Sequence, residues 1–250
     1  MATRARSLQE NGVTPPRILC IAPAWNEGER IRRVVAAVPR EVVDTVVVVD
    51  DGSRDDTARH AEAAGAVVIR HPRNRGVGAA IRSGIDYGRN HGFGIVVVIS
   101  GGGKTPPHQI PLLLAPLLSG EAELVQGSRY LEGGEARHMP LRRHLGTRAY
   151  TRLFSLFLRR RVTDASSGFR AFRLSLLDDQ RIDLAQEWLD RYELEPYLLF
   201  QSLRLGHAVR EVPVTIEYPT DHLAYTKMRA IADWWRIFRP VLLLGLGLRR

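Results

Sequence analysis

Thr45-Val46-Val47-Val48-Val49-Asp50-Asp51-Gly52-Ser53-Arg54-Asp55-Asp56-Thr57 is the stretch that decides the fold. Its β-branched run has no polar alternation, which describes a strand buried on both faces. Asp50-Asp51-Gly52-Ser53 breaks that strand at once, and Ser53, Asp55 or Asp56 can cap the helix expected over Thr57 to Ala64. The same pattern recurs on both sides. Upstream, Arg17 to Ala24 (RILCIAPA) reads as a first strand, and Ile31, Val34, Val35 and Val38 follow at helical spacing until Pro39. Downstream, Ala66 to Ile69 is a third strand, and a turn over Asn74 to Gly78 opens a helix from Ala79 to Asn90. Gly94 to Ile99 is a fourth strand, and Gly101-Gly102-Gly103 is a loop. This alternation predicts an α/β fold, a mostly parallel sheet flanked by helices. Ligands bind such sheets at the carboxyl ends of the strands. Four loops then converge on one edge: 24–27, 50–56, 74–78 and 100–104.

The second half is less regular. Leu112 to Leu118 reads as a helix, Glu123 to Gly127 as a short strand, and Arg129 to Arg143 as a mobile loop. Arg148 to Arg160 is an amphipathic helix, Asp164 to Phe172 a strand or turn, Trp188 to Leu205 a helix, and Val209 to Tyr218 a strand. There is no internal repeat. The expected organisation is a mobile tail over 1–16, one domain over 17–230, and an apolar, aromatic segment over 231–250.

With 44% hydrophobic and 25% charged residues over 250 positions, the composition is globular, which excludes collagen-like, low-complexity and broadly disordered chains. A single cysteine, Cys20, excludes a disulfide framework and a cysteine-based zinc cluster and fits a reducing, cytoplasmic setting. The net charge of +9 suits nucleic acid, an anionic lipid surface or phosphate-rich substrates. No nucleic-acid-binding motif accompanies it, so a nucleic-acid partner is not expected. Nearly all the cations are arginine, which suits bidentate phosphate contacts but also follows from Arg-rich codon usage. No apolar run approaches the ~20 residues of a membrane span, and the polar start of the chain is no signal peptide.

Asp50 and Asp51, adjacent at a strand end, can accept hydrogen bonds from a ribose or a base. Gly103-Lys104-Thr105 mimics the end of a P-loop, but Val98 stands where that motif needs glycine, which excludes an NTPase. No histidine has metal-ligand spacing, and His71, like the others, reads as solvated or packed.

Taken together, Pro23-Ala24-Trp25-Asn26-Glu27, Val49 to Thr57 and Asn74-Arg75-Gly76-Val77-Gly78-Ala79 resemble the family 2 glycosyltransferases, and within them the dolichyl-phosphate mannose synthase branch. Gly127-Ser128-Arg129-Tyr130, Asp164 to Arg170 and Glu211-Val212-Pro213-Val214 agree, so the resemblance covers roughly residues 17 to 230. It implies a GT-A fold and a nucleotide-sugar donor. It places Pro23, Ala24, Glu27 and Asp51 around the nucleoside, the backbone of Gly78 and Ala79 close to the nucleotide, and Arg129 and Arg170 near the phosphates. A departing nucleoside diphosphate needs such positive charge.

The chain departs from the family where it carries Asp-x-Asp, the carboxylates that hold a divalent ion. Ser100 and Gly102 stand at those positions, Gly101 lies between them, and Gly103 and Lys104 follow. Mg2+ or Mn2+ would want carboxylate oxygens that are missing, so no metal ligand is assigned. Three readings stand. Lys104 replaces the ion, helped by backbone N–H groups of Gly101 to Gly103; or other groups such as Asp50 or Asp51 hold a metal with the diphosphate; or the site binds without turnover.

Asp164 either orients Arg170, acts as a base, or forms a structural Asp–Arg pair. Asp190 and Glu193 are expected on one helical face, in a region the resemblance places near the acceptor. A sugar hydroxyl would need a general base there; a phosphate acceptor, already anionic, would not. The Trp234, Trp235 and Arg-flanked C-terminus suits a membrane interface, or a helix packed on the domain or on a second copy in a homodimer. The family's Arg-x-x-Gly-x-Ser-Lys stretch appears as Asp221 to Lys227 without that Arg or Gly. The expected function is transfer of a sugar from a nucleoside diphosphate to a polyprenyl-phosphate or other phosphate or hydroxyl acceptor, with peripheral contact at the inner membrane face. The alternatives are a non-catalytic nucleotide-sugar-binding module and a nucleotidyltransferase.

Overall fold

The computed structural model of the chain describes residues 15–218 and 232–249. Most of the expected tail over 1–16, the Asp221–Lys227 stretch and His222 lie outside the described residues. The first four strands are β1 (Ile18–Ala24), β2 (Thr45–Asp50), β3 (Val67–Arg70) and β4 (Ile95–Val98). Between them run α1 (Glu29–Ala36), α2 (Thr57–Ala63) and α3 (Val77–Asn90). Then follow α4 (Ile110–Leu118), β5 (Leu124–Ser128), β6 (Glu135–Arg137), α5 (Leu141–Leu158), β7 (Arg170–Arg173), α6 (Leu194–Arg204), β8 (Val209–Pro213), β9 (Thr215–Glu217) and α7 (Ala232–Gly245). The main sheet has seven strands in the order β3-β2-β1-β4-β7-β5-β8. Only β7 runs antiparallel to its neighbours, β4 and β5. A small second sheet pairs β6 with β9.

The register explains the unbroken apolar runs. Leu19 and Ile21 of β1, with Val47, Val49, Val96 and Val98, point to one face, covered by α3, α5, α6 and α7. Their neighbours Cys20, Ala22, Val46, Val48, Ile95 and Val97 point to the other, covered by α1, α2 and α4. Both faces of the central strands are therefore dry, as the lack of polar alternation requires.

The less regular half differs from its sequence reading in three places. Arg129 to Arg143, expected as a mobile loop, carries β6 and the first turn of α5, which starts at Leu141 rather than Arg148. Tyr130 anchors it by a hydrogen bond to Thr147 (2.6 Å). The helix expected from Trp188 starts only at Leu194, because residues 189–191 turn aside to meet the start of α3. The strand expected over Val209 to Tyr218 divides between the two sheets at Val214. Along α7, Val241 and Leu244 enter the core beside Phe154 and Leu198, so this helix packs on the domain.

Cys20 lies in the middle of β1 with no exposure, and burial pushes its thiol up to about 12. The thiolate is the reactive form. We expect Cys20 to resist a thiol-specific chromogenic reagent at neutral pH in the native protein and to react fully on unfolding. Rapid native reaction would contradict this packing.

Candidate active site

The loops after β1 and β2 are joined by side chains that the sequence already brackets. Asn26, at φ +51°, accepts a hydrogen bond from Arg54 N through its side-chain oxygen (2.8 Å), and its own N–H donates to Ser53 Oγ (2.8 Å). Thr57 Oγ1 accepts from Glu27 N (2.8 Å) and Gly28 N (3.0 Å). Asp50 closes its own turn by accepting from Ser53 N (3.0 Å), and it does not line the cavity described below.

Asp51 is buried and faces three donors. Arg75 N (2.8 Å) and Gly76 N (2.7 Å) donate to it, and His71 Nδ1 lies 2.7 Å from its Oδ1. The other ring nitrogen of His71 meets Ser83 Oγ at 2.9 Å. His71 is thus packed, as its sequence context suggests, and it joins the ends of β2 and β3 to α3.

A cavity of about 620 Å³ opens at the carboxyl ends of β1, β2 and β4, a size ordinary for a small-molecule site. Pro23, Ala24, Glu27 and Asp51 wall it on the β1–β2 side. Ser100, Gly102 and Lys104 stand in the middle, after β4. Arg129, Ser166, Arg170 and Glu195 form the β7–β5 side, with Arg143, Arg191 and Arg236 around them.

Gly78 and Ala79 do not bring backbone to this cavity. Their N–H groups donate to the carbonyls of Arg191 and Asp190 (both 2.9 Å). A Cβ on Gly78 would stand 2.0 Å from Leu189 O, so the glycine is required by that close approach. The first turn of α3 is thereby capped by protein carbonyls rather than left open for phosphate.

The loop after β4 is folded on itself. Ser100 N donates to Thr105 Oγ1 (2.8 Å) and Gly103 N to Ser100 O (3.0 Å), which removes the Gly103 amide as a phosphate donor. Gly101 lies against β1, where a Cβ would come within 2.4 Å of Pro23 O. The Glu27 carboxylate faces Gly102, 3.2 Å from where a Cβ would be. This donor set does not fit a hard divalent cation, which wants several oxygens including carboxylates: Ser100 and Gly102 supply no carboxylate, Glu27 brings one, and a lysine ammonium lines the same place. Among the described residues, no three His, Cys, Asp or Glu side chains come together to hold a metal ion.

Asp164 and Arg129 form a buried bidentate pair, with Nε to Oδ2 at 2.6 Å and a terminal nitrogen to Oδ1 at 2.7 Å. Arg129 also donates to Ser166 Oγ (2.6 Å) and to the Tyr218 hydroxyl. Burial opposes the guanidinium charge, but Asp164 outweighs it and holds Arg129 above the usual arginine range. The structural Asp–Arg pair is therefore real, with Arg129 rather than Arg170 as its partner. Asp164 is fully buried, does not line the cavity and is no candidate base.

Arg170 is also engaged with protein. Its terminal nitrogens donate to Glu195 O (2.6 Å) and Ser167 O (2.5 Å). Burial lowers its pKa, and the Glu195 carboxylate, 3.7 Å from Nε, opposes that shift. Burial in turn raises Glu195, against the pull of Arg170. Asp190 pairs with Arg82, and Glu193 is buried 3.9 Å from Arg239, so the two do not share a face toward an acceptor. Sequence reasoning missed Arg143, Arg191 and Arg236 as cavity residues, while Glu195 belongs to the stretch that the resemblance places near the acceptor. No local motif marks the three arginines; only a count of basic residues in each segment points their way.

Comparison with known proteins agrees with this architecture. Residues 20–181 match the family model described as glycosyl transferase family 2. A polyprenol monophosphomannose synthase of Mycolicibacterium smegmatis is 31% identical over 80% of this chain and 77% of its own length. A UDP-N-acetylglucosamine–dolichyl-phosphate N-acetylglucosaminyltransferase of Methanococcus voltae is 28% identical over 92% and 96%. Among solved structures, glucosyl-3-phosphoglycerate synthase of Mycobacterium tuberculosis, in complex with Mn2+, UDP and phosphoglyceric acid, superposes with a TM-score of 0.70. That match is 24% identical over 94% of this chain and 80% of that one, and it shows the fold.

Asp164→Asn leaves the Arg129 guanidinium buried with half its counter-charge geometry and no counter-charge. We expect a loss of about 3–5 kcal/mol in unfolding free energy, read by urea denaturation. An unchanged midpoint would show that the pair is not structural.

Proposed function

The chain belongs to glycosyl transferase family 2 and is a glycosyltransferase of the GT-A fold, and on that footing we propose that it transfers a sugar from a nucleoside diphosphate to the phosphate of a lipid-linked, polyprenyl-type acceptor, with Lys104 in place of a divalent metal. The observation that carries this reading is the division of the cavity along the sheet. Its β1–β2 side has two carboxylates, Glu27 and Asp51, with Arg30 beside them, suited to the hydroxyls and N–H groups of a nucleoside. Its other side gathers Arg143, Arg191 and Arg236 with Arg129 and Arg170 against one carboxylate, Glu195, a net positive wall suited to an anionic acceptor. Lys104 stands between, where the diphosphate of a donor spanning the two would lie.

A phosphate acceptor removes the need for a general base, since its oxygen is already a nucleophile at neutral pH. Two carboxylates of this half are already engaged, Asp164 with Arg129 and Asp190 with Arg82, and Glu195 in the cavity wall faces Arg170. What remains is to stabilise the charge that builds on the leaving diphosphate, and a preorganised cation does this without reorganisation at the moment of reaction. The names of the Mycolicibacterium and Methanococcus relatives, which act on polyprenol and dolichyl phosphates, support a lipid-linked acceptor. Among the described residues no helix is long and apolar enough to cross a membrane, and the meeting with that lipid proposed here is a peripheral one.

The test is transfer from a panel of nucleotide sugars to a polyprenyl phosphate, with and without EDTA. We expect activity that survives the chelator. Lys104→Ala should lower the rate by about two to three orders of magnitude, while calorimetry shows nucleoside diphosphate still bound. If EDTA stops the wild type and magnesium or manganese restores it, the lysine does not replace a metal. If only a soluble phosphate is glycosylated, the lipid acceptor is wrong.

A further inference from the structure

A second concave site lies outside the active cavity. It has a volume of about 640 Å³ and is built on the C-terminal half of α5 and the turn that follows. Arg148, Arg152, Arg159, Arg160 and Arg161 line it, with Leu156 in its wall. All five arginines are exposed. Among the described residues none of them pairs with a carboxylate, whereas Arg59, Arg70, Arg89 and Arg181 elsewhere on the surface each do. Glu211, behind the Thr163 wall, is occupied by Thr163 N, Thr163 Oγ1 and Asp164 N at 2.8–3.0 Å. The backbone helps to collect the charge. Arg159 ends α5 in the left-handed region at φ +49°, a place that usually takes glycine, and a side chain is held there only where the surroundings over-determine it. The reversal carries Arg160 and Arg161 back toward the helix, with Arg160 N bonded to Ser155 O (3.1 Å).

The site is bordered by exposed leucines. Leu141, Leu145 and Leu156 are 70%, 60% and 73% exposed, and helical spacing puts them on one face with Arg148, Arg152 and Arg159. Gly245 of α7 is seated against Phe157, where a Cβ would fall 2.4 Å from its ring. This brings the exposed Leu246 and Leu248 to the same end of α5. A soluble phosphate has no use for such leucines, but a lipid surface meets both features at once, charge with headgroup and leucine with acyl boundary.

We propose that this arginine cradle binds the phosphate headgroups of anionic phospholipids and docks the enzyme on a membrane surface. The inference rests on the lipid-acceptor reading for its biological sense. Its geometry fits that reading: Tyr130 and Thr163 wall the cradle, while their chain neighbours are Arg129, which lines the active cavity, and Asp164, which holds Arg129 from behind. Docking would therefore set the cationic end of the cavity near the headgroup layer.

The test is co-sedimentation of the full chain with phosphatidylglycerol–phosphatidylcholine vesicles and with pure phosphatidylcholine vesicles. We expect recovery with the anionic vesicles alone, falling as salt is raised. Near an anionic surface each basic residue is worth about fivefold in partition, so the double variant Arg152→Ala, Arg160→Ala should bind about twenty-five-fold more weakly. Both positions are exposed and outside the active cavity, so circular dichroism and calorimetric binding of a nucleoside diphosphate should be unchanged. Equal partition of the variant and the wild type would overturn the proposal. So would binding of inorganic pyrophosphate, lost in the variant, with no recovery on anionic vesicles; that result would make the cradle a site for soluble anions. Vesicle binding does not depend on turnover, so an enzyme that docks yet transfers only to soluble phosphates would sink the acceptor reading and leave the docking site standing.

Discussion

One buried ion pair, Asp164 with Arg129, sets the floor of the active side. A guanidinium with almost no exposure persists only if its charge and its donors are all met. Asp164 meets them from the turn before β7, Ser166 from the same turn, and Tyr218 from the residue after β9. Arg129 sits just after β5, so three segments distant in sequence are fixed by one side chain. The arrangement is self-consistent, because removing either partner strands the other. It also explains why the second half of the chain, with its short and irregular elements, still closes a defined cavity.

Arg129 and Arg170 line the cavity and also hold protein: the first through Asp164, the second by bridging the carbonyls of Ser167 and Glu195. Lys104, Arg143, Arg191 and Arg236 line it from four different segments. The aspartates after β2 differ from one another. Asp50 shapes its turn, and Asp51, though in the cavity wall, also fastens the 75–76 backbone and His71. A group that fastens backbone is rigid, and a rigid wall loses little entropy when a ligand arrives. Asp51, Arg129 and Arg170 therefore each line the cavity and fasten its wall.

The first hundred residues were legible because their physics is local. Unbroken Val and Ile runs declare strands buried on both faces, and Asn26, Ser53 and Thr57 fasten neighbouring loops through bonds that the β1–β2 register makes unavoidable. The carboxyl-edge position of the cavity follows from that topology. The partner of Asp164 was not legible, since Arg170 is near in sequence and Arg129 is not. The role of Gly78 was misread for a similar reason. The resemblance sets its backbone close to the nucleotide, but the carbonyl that approaches it, Leu189 O, belongs to a segment 111 positions further along. The cradle arginines read simply as an amphipathic helix; the left-handed turn at Arg159 that gathers them has no sequence mark, because arginine is an uncommon residue there.

The loop after β4 carries the sharpest consequence. Where the family places two carboxylates and a divalent ion, the three charges cancel to about zero before any donor binds. Ser100, Gly102 and Lys104 bring one positive charge and no carboxylate, with the Glu27 carboxylate facing Gly102. On the proposed reading, Lys104 meets the diphosphate without first recruiting an ion. One ammonium is a weaker point charge than a divalent ion, so the charge that develops on the leaving group must be shared. Gly103 N is already bonded to Ser100 O, which rules out part of the backbone as that help. The sharing then falls to the arginines on the β7–β5 side, Arg143, Arg191 and Arg236, the same groups proposed to hold the acceptor phosphate. Donor and acceptor would thus draw on one pool of positive charge, and filling one subsite would weaken the field left for the other. An anionic acceptor and an anionic leaving group are compatible in so small a space only because that pool is large, which is the use this fold makes of an arginine-rich chain.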